Sequence, residues 1–127
     1  DPSFIAKQVS PDIKVIKEGN ISPLIQSCEI LIINDLTSPL MEAWLMKKPV
    51  MSLLVTDNDN GIPTAFKNNS CIITDLEKLG DDLKSVLDNE HVRNQLIIDG
   101  TKSAKEYLSY QNNGSKELIK FLEKLVN

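Results

Sequence analysis

Apolar positions along this chain recur in two rhythms, and the change from one to the other marks its elements. Glu29 to Val55 shows it best. Ile30 to Ile33 is an unbroken apolar, mostly β-branched run, as in a strand buried on both faces of a parallel sheet. Asn34-Asp35-Leu36-Thr37-Ser38 breaks it with polar residues. Ser38-Pro39 is suited to open a helix, with serine as cap and proline in the first position. Leu40 to Met46 continues that helix, with Leu40, Met41, Trp44 and Leu45 available for packing. Lys47-Lys48 places positive charge at its C-terminal end, Pro49 stops it, and Val50 to Val55 runs apolar again. The stretch predicts one βαβ unit, with its loop at the carboxyl end of a strand, where open α/β sheets bind ligands.

The flanking sequence extends this pattern. Phe4, Ile5 and Val9 suggest a short helix ended by Pro11, and Ile13 to Ile16 a short strand followed by a turn at Glu18-Gly19-Asn20. Ser22-Pro23 opens a second short helix with Leu24, Ile25 and Cys28 expected inward. Residues 56–69 form the longest irregular stretch, rich in turn-favouring side chains around Gly61 and Pro63. Cys71 to Thr74 reads as a strand. From Asp75, Leu76, Leu79, Leu83, Val86 and Leu87 recur at helical spacing. A further helix carries Val92, Leu96 and Ile97 and runs to about Tyr107 through Gly100. Asn112-Asn113-Gly114 breaks the chain, and Ser115 caps a last amphipathic helix bearing Leu118, Ile119, Leu122, Leu125 and Val126. This alternation predicts a Rossmann-like three-layer α/β domain with a four-stranded parallel sheet, incomplete at its N-terminus.

Composition adds bounds. The 127 residues suit one domain, and a net charge of −4 argues against a nucleic-acid surface. No apolar run is long enough to span a bilayer, and no secretory signal is visible, so a cytoplasmic location, peripheral to the membrane at most, is expected. Cys28 and Cys71 lie beside predicted strands without a second pair or nearby histidines, and read as buried free thiols with no metal site. No cofactor is expected. The opening Asp1-Pro2-Ser3, without methionine, suggests a domain taken from a longer protein.

Several motifs together carry a resemblance. Cys28 to Ile33, the turn Asp35-Leu36-Thr37-Ser38, the pair Glu42-Ala43 and Lys48-Pro49-Val50 resemble successive pieces of the donor-binding, C-terminal domain of GT-B glycosyltransferases. Cys71 to Asp75, followed by Leu79, Leu83, Val86-Leu87 and Asp88-Asn89, is similar to the continuation. The nearest flavour is the branch of surface-polysaccharide and CDP-glycerol-type transferases, which resembles UDP-sugar 2-epimerases. The resemblance implies binding of a nucleotide-diphosphate sugar, a separate N-terminal acceptor-binding domain, an acceptor that can be membrane-associated, and polysaccharide biosynthesis. By it, Thr37 and Ser38 at a helix N-terminus would meet the diphosphate, and Glu42 would accept from the ribose hydroxyls. Asp35 would position the turn, and Asn60 and Gly61 would lie near the donor and acceptor cleft. Catalytic residues are not assigned, because the acceptor-binding domain usually supplies the base; the isolated chain is expected to be inactive.

The bland readings stand beside these. Ser38 before proline serves equally as a plain cap, and a lone glutamate on a helix is usually solvated. Proline at position 39 also removes one N–H donor from the proposed phosphate site. Asp57 to Asn60 lacks the spacing of a calcium loop. His91 reads as a surface residue and Trp44 as core. Two other classes stay open: a receiver-like signalling domain with Asp35 as phospho-acceptor, and a scaffold that kept the fold without the ligand.

Overall fold

A computed structural model describes residues 2–34, 39–55, 70–109 and 114–126. Its order is α1 (Pro2–Val9), α2 (Ser22–Ser27), β1 (Leu31–Asn34), α3 (Pro39–Leu45), β2 (Val50–Leu53), β3 (Ile72–Thr74), α4 (Leu79–Asp88), α5 (Glu90–Ser109) and α6 (Gly114–Val126). The three strands pair in parallel in the order β1-β2-β3. Leu31 stands opposite Val50, and Met51 opposite Ile72. The βαβ unit expected between positions 29 and 55 is present. The whole is a mixed α/β fold with an open parallel sheet, compatible with a Rossmann-like architecture.

The register explains the layers. Side chains alternate across the sheet, so Leu31, Ile33, Val50 and Cys71 share one face. They pack with Ile25 of α2, with Leu40, Ala43, Trp44 and Leu45 of α3, and with Ala104 and Leu122 of α5 and α6. Met51 and Ile72 point to the other face, against Leu79, Leu83 and Val86 of α4 and Val92 and Leu96 at the start of α5. The second cover does not extend over β1, where Ile32 is 42% exposed.

Helix ends follow local chemistry. Asn89 Oδ1 accepts from the backbone N–H groups of His91 and Val92, capping α5. The helical signal read from Asp75 starts later, at Leu79; Asp75 Oδ1 instead holds a turn by accepting from Lys78 N–H. At the end of α3 the N–H groups of Lys48 and Lys47 return to the carbonyls of Ala43 and Trp44, a Schellman closure. That closure places Lys47 at φ 58°, a left-handed conformation in which a Cβ is unfavourable. Lys47→Gly is expected to raise stability by roughly 0.5–1 kcal/mol in a urea titration, the relief of strain outweighing the freer unfolded chain. An unchanged or lower midpoint would mean that Lys47 contributes packing or charge that offsets its strain.

Three expectations are corrected. Ile13 to Ile16 is not a strand: residues 13–17 form no helix or strand, and every residue from 11 to 20 is exposed. The sheet therefore has three strands among the described residues, not four. A run of four residues forms a strand only where a neighbour supplies ladder bonds, and among the described residues no strand pairs with this one. Leu24, expected inward, is 43% exposed, because the six-residue α2 turns only Ile25 fully into the core. Leu125 of the last helix is likewise exposed, while Ile119, Leu122 and Val126 pack.

Candidate functional site

A parallel sheet gathers the loops that leave its strands at one end. Here β1 leads into α3 and β2 leads into the segment before β3 from that same end. Of the residues singled out in the sequence for a ligand, Asp35, Thr37, Ser38, Asn60 and Gly61 lie outside the described residues. Glu42 is the described member of that set.

Glu42 sits in the first turn of α3, the helix that follows β1, toward the positive end of the helix dipole. Pro39 begins the helix, as the Ser38-Pro39 pair suggested. Leu40, Ala43 and Trp44 turn into the core and leave Glu42 half-buried on the side of α2. Its Oε1 accepts a short hydrogen bond from the Ser22 hydroxyl at the start of α2. Ser22 is in turn oriented by its backbone N–H, which donates to Asn20 Oδ1 at 3.0 Å. Among the described residues Oε2 of Glu42 has no partner. Ser22 was not singled out in the sequence. A serine before proline looks like any helix opening, and its partner lies twenty residues away. The bond does two things chemically: it ties α2 to α3, and it fixes one oxygen of a carboxylate while leaving the other able to accept.

Lys47 is exposed, and Lys48 is half-buried beside Cys28. His91 is exposed at the start of α5, as a surface histidine would be. With Cys71, Ile73, Gln95 and Asp99 it lines an open recess of about 490 Å³ between β3 and α5. Gln95 Nε2 donates to the Asp99 carboxylate within that recess, whose lining does not include Glu42. Among the described residues, no group of three or more His, Cys, Asp or Glu side chains could hold a metal ion.

Both cysteines are free thiols. Burial pushes the Cys71 thiol up to about 12, with a backbone hydrogen bond at Ser52 opposing weakly. Burial also raises Cys28, partly offset by the positive charge of Lys48. Since the thiolate is the reactive form, Cys71 is expected to resist a thiol reagent at pH 8 until the protein unfolds. Cys28, half-buried, is expected to react more slowly than a free thiol but ahead of Cys71. The same shift has a pH consequence. The folded-state value lies above the unfolded value of 9.0, so the Cys71 contribution is complete below pH 9 and is lost as pH rises toward 12. Denaturant titrations of wild type and Cys71→Ala across that window should show a shallower alkaline decline in the variant; parallel curves would contradict the burial argument.

No family model matches this chain, and no curated protein matches it.

Proposed function

We propose that this chain is the donor-binding domain of a GT-B glycosyltransferase that holds a nucleotide-diphosphate sugar. It works with an N-terminal acceptor-binding domain in surface-polysaccharide or glycoconjugate synthesis. The observation that supports this reading is the Glu42 carboxylate. It lies in the first turn of α3 and is fixed through Oε1 by Ser22, with Oε2 unpartnered among the described residues. A carboxylate so placed can accept from a ribose hydroxyl. The motifs around Thr37-Ser38 and Lys48-Pro49 add the family likeness. Nothing observed favours the receiver alternative, whose acidic pair would follow a first strand; residues 13–17 form no strand.

The test is a thermal-shift panel of UDP, CDP, GDP and ADP, free and sugar-linked, on wild type, Glu42→Ala and Ser22→Ala. Both substitutions remove the same tie between α2 and α3, so both should lower the baseline Tm, by about 1.5–3 kcal/mol of stability. Only Glu42→Ala removes the ribose acceptor. One nucleotide at a hundred times its Kd is expected to add about 2.7 kcal/mol to wild type and to Ser22→Ala. It should add nothing to Glu42→Ala. A shift that survives Glu42→Ala would move the site elsewhere. No shift with any of the four would leave the scaffold reading and end the donor-binding one.

A further inference from the structure

Where α5 passes the C-terminal end of α3, three lysines border one open recess of about 580 Å³. Lys47 follows α3, and Lys102 and Lys105 lie on α5. All three are exposed. Ile97 and Ile98 give the recess an apolar part, and Ile98 is 60% exposed. The Thr101 hydroxyl, also in the lining, donates to the Ile97 carbonyl at 2.8 Å and to the Trp44 carbonyl at 3.4 Å, so it ties α5 to α3.

We propose that this recess binds a small organic phosphate, a phosphomonoester dianion joined to an apolar body. Three observations select that chemistry. The first is charge. Three lysines against the single carboxylate of Glu106 leave the lining at +2 in a chain of net charge −4. Glu123 of α6 lines an adjoining smaller recess that shares Lys47, Thr101 and Lys105, and even with it the balance stays positive. A phosphomonoester carries close to two negative charges at neutral pH, whereas a carboxylate carries one. The second is the backbone. Lys47, at φ 58°, is the one non-glycine residue with a positive φ among the described residues. Glycine is the usual residue at that point of a helix end, so lysine keeps the third charge at the recess against strain. Strain of this kind collects at functional sites. The third is shape. The volume is that of a small-molecule pocket, and the two isoleucines offer apolar surface that only an organic ester could cover.

The recess shares no lining residue with Glu42, so this inference stands or falls apart from the donor-binding reading. Titration of the isotopically labelled chain with naphthyl phosphate, followed by amide chemical shifts, tests it. Saturable shifts are expected at Ile97, Ile98, Thr101, Lys102 and Lys105. Naphthol and inorganic phosphate, each lacking one half of the ligand, should bind at least about tenfold more weakly. Lys47→Gly should weaken the ester about threefold. That variant is expected to be the more stable protein, so unfolding cannot explain its loss. The triple variant Lys47→Gly, Lys102→Gln, Lys105→Gln should lose about tenfold or more. Phosphatidylcholine vesicles containing phosphatidic acid separate the two sources of such a phosphate. The protein is expected to stay in the supernatant, as a site for a soluble ester does; pelleting that the triple variant loses would keep the site and make its phosphate lipid-borne. Shifts centred on other residues, or no saturation at millimolar ester, would overturn the proposal. So would naphthol or inorganic phosphate binding as tightly as the ester, or either variant binding as wild type does.

Discussion

Trp44→Ala is expected to remove about 4–5 kcal/mol of stability, enough to leave a domain of this size largely unfolded under mild denaturant. Trp44 is 1% exposed and is the largest fully buried side chain of the core. It packs where α3, α5 and the first sheet face meet, in the cluster that includes Ile33, Val50 and Ala104. Its indole Nε1–H donates to the Ser70 carbonyl at 2.9 Å. Ser70 is itself fully buried, and its hydroxyl shares a short hydrogen bond with Ser103 and reaches the Asp99 carbonyl at 3.2 Å. Removing the indole therefore opens a cavity and leaves a buried carbonyl without its donor, two costs that add. Trp44→Phe separates them, keeping most of the volume and losing the donor, and should cost about 1–3 kcal/mol. Trp44 is the chain's one tryptophan, so urea unfolding has to be followed by circular dichroism rather than by fluorescence. A loss under about 1 kcal/mol for the alanine variant would mean that the α3–α5 packing is not what holds this core together.

Gly100→Ala is the second large effect, and its sign runs against helix propensity. In the middle of a helix, alanine usually gains about 1 kcal/mol over glycine. At position 100 an added Cβ would stand 2.9 Å from Trp44 Nε1, 3.1 Å from Cγ, and closer still to Cδ1. The indole is not the free end of a flexible chain; Ser70 and the surrounding core fix it. The overpacking should cost about 1–3 kcal/mol net of the propensity gain. The pair makes a double-mutant cycle with a clear sign. In the Trp44→Ala background the clash is gone, and Gly100→Ala should become neutral or stabilising by up to about 1 kcal/mol. The same loss in both backgrounds would show that the close approach is not the cause. Gly100 thus lets α5 lie against α3, which explains how a helix runs through a glycine at its centre.

Much of the local structure was legible because short-range chemistry writes it. The Ile30 to Ile33 run, the Ser22-Pro23 opening and Pro39 at the start of its helix each act within a few residues. Trp44 in the core and His91 on the surface could be read for the same reason. Ile13 to Ile16 could not. Its alternation is that of a strand, but a strand exists through its neighbour, and nothing in four residues says whether a neighbour is there. Ser22 was invisible for a related reason, since its importance lies in a bond to Glu42 across twenty positions.

The sequence by itself determined the helices, the two strands of the βαβ unit and the identity of the core tryptophan, because periodicity and capping are local. It also placed Glu42 in the first turn of its helix. The tertiary structure alone decided that Gly100 receives the Trp44 ring, that Ser22 fixes one oxygen of Glu42, and that Lys47 takes the left-handed turn. It also decided that Lys47 borders one recess with Lys102 and Lys105. Each of these depends on which distant segment comes to lie alongside, and a one-dimensional pattern carries no distance.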